Sequence, residues 1–175
     1  IQRIFSAKGF GTIVTGVPVS GKAKIGDQLE IQPLGKRGRI RGLRAYMSEV
    51  PEIRAGHSSA INISDVTHEE VQRGMVACTP EYFKASNYVA ARFKYVPDIP
   101  RTLRNLMPVK FHVGTKEADG KIVLLDKKTL EPGEECFVQF RLDESVVVQT
   151  GDPFIVRLQT PMYTIGGGRV IDSSD

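Results

Sequence analysis

RGRIRGLRAYM, residues Arg37 to Met47, places Ile40 on one side of an extended chain and Arg39 and Arg41 on the other. That alternation is the period-2 signature of a half-buried strand. Working outward, the same reading recurs. FGTIVTGVPV (Phe10 to Val19) is a strand-type run broken at Gly16, and SGKAKIGDQLEIQP follows with turns at Ser20-Gly21 and Gly26-Asp27. Gly-Asp supplies turn chemistry because glycine tolerates positive φ. SSAINISDV (Ser58 to Val66) alternates again, EEVQRG predicts a single helical turn, and MVACTP predicts a strand.

A boundary falls within PEYFKASN (Pro80 to Asn87), near residue 84. Beyond it YVAARFKYV, VKFHVG, GKIVLLD, ECFVQFRLD, SVVVQT, PFIVRLQT and RVID predict further strands. PDIPRTLRNLMP reads as a proline-bounded loop, with room for one short helical turn. Turns are expected at Pro132-Gly133, Gly151-Asp152 and Gly166-Gly167-Gly168. Two series of about six short strands, with no long amphipathic helix, predict an all-β chain of two antiparallel β-barrels in tandem, over residues 1–83 and 84–175. Closing each sheet removes edges that invite aggregation.

Composition excludes several function classes. The 175 residues carry a net charge of +4, compatible with a polyanionic partner without demanding one. No apolar run approaches the ~18 residues of a membrane span, and IQRIFSAKGFG is too interrupted by charge and glycine for a signal peptide. The chain reads as a piece of a longer protein. Cys78 and Cys136 lack CxxC spacing and are expected to be buried thiols of a reducing cytoplasm. His57, His68 and His112 have no metal-ligand spacing, so no metal site is expected. No GxxxxGK[ST] loop is present, so the chain itself has no dedicated triphosphate cradle. Gly166 to Gly168 precede Arg169 and a strand rather than a helix. They fit a backbone bulge, or close approach of an RNA backbone. No nucleophile or acid–base signature occurs, and no catalytic residue is expected.

FSAKGFGTIVTGVPVSGKAKIGDQLEI (Phe5 to Ile31), then IRGLRAYM, AGHSSAINISDV and VQRGMVAC, resemble in order the second domain of elongation factor Tu and its relatives. VKFHVGTKEADGKIVLLD, LEPGEECFVQFRLDESVVVQTGDPFIVRLQTP and TIGGGRVID are similar to the third domain of selenocysteine-specific elongation factors. The resemblance implies tRNA-binding barrels of a GTP-dependent factor that delivers selenocysteinyl-tRNA to the ribosome in the cytoplasm. GTP and Mg would belong to a GTPase domain outside this chain, and no cofactor to the chain itself. A further C-terminal domain could reach an mRNA hairpin. Two alternatives share the architecture: another translational GTPase, and a protein-assembly module like the GTPase subunit of ATP sulfurylase.

The resemblance also assigns residues. Gln2, Arg3, His57 and Ser58 fall at the aminoacyl pocket. The family has aspartate where Gln2 stands and a second arginine where Ser58 stands, which leaves Arg3 and His57 as the basic groups for an ionised selenol. Phe5, Lys8, Gly9, Phe10, Gly11, Thr12 and Arg44 fall at the tRNA 3′ end, where an aromatic ring could stack on a base, although Phe5 and Phe10 are equally read as core. Arg37, Arg39, Arg41, His112, Arg141, Gly167 and Arg169 are candidates for the tRNA backbone, the first three alternatively a solvated face. Lys116 and Arg157 are further polar positions of the second barrel.

Overall fold

The computed structural model describes residues 1–7 and 11–173, and the chain divides into two compact units, Ile1–Lys84 and Ala85–Asp175. Lys8, Gly9 and Phe10 lie outside the described residues. Among the described residues every regular element is a strand. The first unit holds β1 (Arg3–Ala7), β2 (Gly11–Gly16), β3 (Lys22–Lys24), β4 (Gln28–Gln32), β5 (Lys36–Ala45), β6 (Ser48–Glu49), β7 (Glu52–Arg54), β8 (Ser59–Ile63) and β9 (Val76–Cys78). The second holds β10 (Ser86–Tyr95), β11 (Leu103–Arg104), β12 (Met107–Val113), β13 (Lys116–Leu124), β14 (Thr129–Leu130), β15 (Glu135–Val146), β16 (Pro153–Leu158) and β17 (Thr164–Asp172).

In the first unit the sheet runs β1-β2-β8-β5-β4-β9, with β6 on β5 and a separate β3–β7 ribbon. The two ends of this path meet before β9, where the Ile1 nitrogen donates to the Met75 carbonyl at 2.7 Å and the Gly74 N–H donates to the Ile1 carbonyl at 3.0 Å. Val14, Leu29, Ile31, Ile40, Leu43, Ile53 and Ile63 fill the interior. The expected helical turn at EEVQRG is absent. Glu70 Oε2 instead accepts from the Thr67 N–H and Oγ1 at 3.1 and 2.9 Å, the chemistry of a helix-start box closing a plain turn.

The second unit is a closed antiparallel barrel, β10-β15-β13-β12-β16-β17. Its inward positions carry four phenylalanines. Phe111 lies 4.8 Å from Phe140 and 5.2 Å from Phe154, and Phe93 stands 6.5 Å from both Phe140 and Phe154, centroid to centroid. Such ring pairs contribute beyond their buried area.

Two sequence expectations change here. Gly166 to Gly168 form no turn; they lie within β17, paired to both β10 and β16. The reason is space. A Cβ on Gly168 would lie 1.8 Å from the Arg92 carbonyl oxygen, and one on Gly166 would lie 2.6 Å from the Phe93 ring. The glycines let the last strand close over the aromatic core, with register shifts in β17 pairing on either side of them. SVVVQT is likewise no strand of its own, because β15 runs on through Val146. Gly168→Ala is expected to destabilise the chain by about 3 kcal/mol or more, the upper range for forced overpacking. Urea unfolding of the variant beside the parent measures it, and an unchanged midpoint would contradict the packing argument.

Candidate nucleic-acid interface

Antiparallel register places side chains that face each other across strands on one side of the sheet. Across β1, β2, β8 and β5, one row reads Arg3, Thr15, Ala60, Arg44, and the next reads Phe5, Ile13, Asn62, Gly42. Both rows face outward, opposite the core row Ile4, Val14, Ile61, Leu43. In the first row small residues, Thr15 and Ala60, stand between two edge cations. Arg3 and Arg44 are three strand spacings apart, about 14 Å between backbones. Phe5 is 45% exposed on this face, so its ring is not core. Beneath the face the Asn62 side-chain oxygen is shut away from solvent with no hydrogen-bond partner. An unmet buried acceptor is costly, and a native fold needs a reason for one.

The arginines share this side because of a bulge. β5 pairs Ile40 with Ile63 but Gly42 with Asn62, so one residue, Arg41, is extra. The alternation changes phase there: Arg37, Arg39 and Arg41 point out, and after the slip so does Arg44. Without the slip Arg44 would enter the core. Gly38 is required by the same strand contact, since a Cβ there would lie 2.1 Å from the Ser64 carbonyl oxygen.

The four arginines of β5 have different commitments. Arg37 donates to Glu81 at 2.7 Å and lies 3.7 Å from Glu30, which is itself buried and accepts the Glu81 N–H at 2.7 Å. Arg37 is therefore a structural ion-pair partner. Arg39 donates to the Gly26 carbonyl at 3.1 Å and Arg44 to the Met47 carbonyl at 3.0 Å. Arg41 has no hydrogen-bond or ion-pair partner among the described residues.

Gln2, Arg3, His57 and Ser58 come to one end of the sheet. Gln2 N–H donates to the Thr15 carbonyl at 2.8 Å, and Ser59, beside Ser58, pairs with both Gly16 and Ala45. His57 accepts the Arg54 N–H on Nδ1 at 3.3 Å, which leaves Nε2 as the donor, and its ring meets the edge of Tyr46 at 5.6 Å. Tyr46 and Met47 form the two-residue tip of the β5–β6 hairpin with φ of 50° and 73°. That geometry favours glycine and asparagine. Two bulky residues held there, both exposed, are strain kept at one end of the candidate face. Sequence reasoning passed over Tyr46, Met47 and Asn62; only the pair's unsuitability for a tight turn could have flagged the first two.

Thr12 belongs elsewhere. It faces the interior, 4% exposed, and its hydroxyl donates to the Val66 carbonyl at 2.6 Å, so it does not reach the surface assigned to the tRNA 3′ end. Gly11 is exposed with φ of 80° and open space around it. Thr12→Val should cost about 1–2 kcal/mol by stranding a buried carbonyl, as read by chemical denaturation, and a stability equal to the parent would refute the interior role.

In the second unit the register row His112, Ile155, Gly167 crosses β12, β16 and β17 with Arg169 two residues beyond Gly167, whereas Arg141 lies apart on β15. Gly167 serves strand packing, its Cβ position lying 2.6 Å from the Phe154 carbonyl oxygen. Arg169 donates to the Gly151 carbonyl at 2.8 Å, and Arg141 to Gln139 at 3.1 Å. Lys116 binds Glu144 at 2.5 Å, and Arg157 donates to the Met162 carbonyl at 3.4 Å. His112 is half-buried on β12, its Nε2 buried without a partner and its Nδ1 3.7 Å from Glu117. Burial holds the imidazole below its ordinary 6.5, and the exposed Glu117 carboxylate, which pulls the other way, does not outweigh it. The native state therefore binds fewer protons near pH 6 than the unfolded one, so His112 favours folding above pH 6.5 and loses that contribution as pH falls through its native value. A ring-proton NMR titration should give a midpoint under 6.5; a midpoint at or above 6.5 would rule this out.

No group of His, Cys, Asp and Glu suited to a metal occurs among the described residues. The architecture is that of translation-factor β-barrels: residues 11–78 match the family described as elongation factor Tu domain 2. Residues 90–175 match the family described as selenocysteine-specific elongation factor, beta-barrel domain, and the chain belongs with the β-barrel domains of selenocysteine-specific elongation factors. Selenocysteine-specific elongation factors of Desulfomicrobium baculatum and Methanocaldococcus jannaschii are 34% and 28% identical to it over 98% of its length, of which the chain spans 27% and 40% respectively. The crystal structure of translation elongation factor SelB from Methanococcus maripaludis, in its apo form, shares the fold at a TM-score of 0.83 and 23% identity, over 98% of this chain and 41% of that one.

Proposed function

We propose that the outward face of β1, β2, β8 and β5 receives the acylated 3′ end of a tRNA, as part of a GTP-dependent factor carrying selenocysteinyl-tRNA to the ribosome. The observation that carries this reading is the register that sets Arg3, Phe5, Asn62 and Arg44 on one surface. An exposed ring offers a stacking platform for a base. Two edge arginines offer charge-assisted bonds to phosphate. The small residues between them, Thr15 and Ala60, allow close approach. Arg3 and His57 stand at the end of the sheet where the aminoacyl group would lie, with Nε2 of His57 as a donor toward a selenolate. Gln2 and Ser58 bring neither the acid nor the second arginine of the family pattern, so anion recognition would rest on Arg3 and His57.

In this reading the chain binds and orients, and hydrolysis belongs to a separate GTPase domain that holds GTP and Mg. The ribosome, that domain and an mRNA hairpin, reached through a further C-terminal domain, are the remaining partners, and the setting is cytoplasmic. Among the described residues no helix is long and apolar enough to cross a membrane.

The test uses the full-length factor with GTP. Selenocysteinyl-tRNA should bind more tightly than seryl-tRNA, and Arg3→Gln or Arg44→Gln should weaken the complex roughly tenfold or more, the effect of one lost charge-assisted hydrogen bond. Equal affinity for the two acylated tRNAs would defeat the selenocysteine assignment, and arginine variants that bind like the parent would defeat the face.

A further inference from the structure

A groove of about 550 Å³ opens on the outer wall of the second barrel, lined by Asn87, Tyr88, Leu106, Lys121, Arg141 and Asp143 among others. Tyr88, Arg141 and Lys121 stand side by side in one register row across β10, β15 and β13. Tyr88 is 41% exposed. Neither Arg141 nor Lys121 has a carboxylate partner among the described residues, a state shared with Arg101, Arg104, Lys128, Arg157 and Arg169, whereas Arg92, Lys94, Lys110, Lys116 and Lys127 on the same barrel are ion-paired.

The backbone around the groove is shaped and fixed. Ser86 pairs with Val146 and Tyr88 with Arg141, so two steps on β10 face five on β15, a wide bulge over residues 142–145. Bulges of this kind re-aim side chains beside sites. Asn87 clamps the bulge from both ends, donating to the Leu142 carbonyl at 2.9 Å and accepting from the Ser145 hydroxyl at 2.7 Å. On the opposite wall Leu106 sits at φ of 61° and is 52% exposed. A leucine in that conformation is strained, and nothing in the hydrophobic core holds its side chain there.

We infer that this groove binds single-stranded RNA, one base stacking on Tyr88 beside Leu106 while Arg141 and Lys121 take the flanking phosphates. Asp143 accepts from base N–H or ribose hydroxyl groups at the same place. A planar ring, an apolar wall and two unpaired cations in line answer the three parts of a nucleotide. A duplex offers no free base face to the ring, which favours an unpaired strand. The groove is separate from the face assigned to the acylated tRNA end and does not depend on that assignment.

Fluorescence anisotropy with a labelled, unacylated ten-nucleotide oligouridine, and with an RNA hairpin duplex of the same charge, tests this on the 175-residue chain. The single strand should bind more tightly than the duplex. Tyr88→Ala should weaken single-strand binding roughly 5- to 150-fold, the range for one stacked base, while Tyr88→Phe keeps it. Arg141→Gln and Lys121→Gln should each flatten the salt dependence by about 0.7 in log–log slope. Arg92→Gln, which removes a cation already paired with Glu135 on the same barrel, should leave this probe unaffected, so loss of the groove stays distinguishable from a general loss of positive charge. Unaltered single-strand affinity in Tyr88→Ala with a native melting curve would overturn the proposal, as would equal binding of the duplex.

Discussion

A single extra residue in β5 turns that strand by half a pleat, and the outer surface of the first unit follows from it. Ahead of Arg41 the odd-numbered arginines face water; beyond it Leu43 and Ala45 take over the core and Arg44 comes out. The slip is held from below, where Ile40 and Leu43 pack against Ile63 and Ile61 of β8. Undoing it would send a guanidinium into a sheet interior and lift two apolar side chains into water. Both changes oppose folding, since an unpaired buried charge costs several kcal/mol and each buried aliphatic side chain contributes about 1.5–3 kcal/mol. The core thus fixes the spacing of the surface cations as firmly as it fixes itself.

The second unit reaches the same rigidity by another route. Its hydrogen-bonded path has no ends, and four phenylalanine rings occupy the enclosed space. The last strand can pass so close only because it carries no side chain at Gly166 to Gly168. Charged pairs on the outside, such as Arg92 with Glu135, add little to stability at such exposure. What they do is consume cations. Basic groups left without carboxylates, among them Arg3, Arg41 and Arg44 in one unit and Lys121, Arg141 and Arg169 in the other, are where a polyanion would gain most.

The fold was legible because alternation is written directly in the chain. Ile40 between two arginines, and PFIVRL with Phe154, Val156 and Leu158 inward, state their faces without help from the rest of the molecule. The site was legible in part. Arg3, Phe5 and Arg44 were named from resemblance, and register brings them together. Thr12 was misplaced because a threonine in a β run carries no mark of which face it takes, and Arg37 because its acidic partners lie at positions 30 and 81. The glycine triplet looked like a turn since sequence shows permissiveness and not the neighbouring strand that demands it. Bulges have no composition signature, so the phase change in β5 and the wide excursion of β15 stayed hidden, and Tyr88, Lys121 and Asn62 with them.

Rigid barrels suit recognition of a long, flexible polyanion for an energetic reason. Binding an RNA strand orders its backbone, and each side chain immobilised at the contact adds a further cost. A surface whose cations are set by register and whose backbone turns are locked by bulges has already lost that freedom during folding. Arg44 is held by the Met47 carbonyl, and Arg141 is oriented by Gln139. The tips at Tyr46–Met47 and Leu106 fit the same logic: their exposed side chains are already held in fixed turn conformations, so a partner that covered them would lose less ordering entropy. On the proposed reading, cations fixed in place during folding would let a mildly basic chain, at a net charge of only +4, concentrate its attraction on two small faces instead of spreading it over the whole surface.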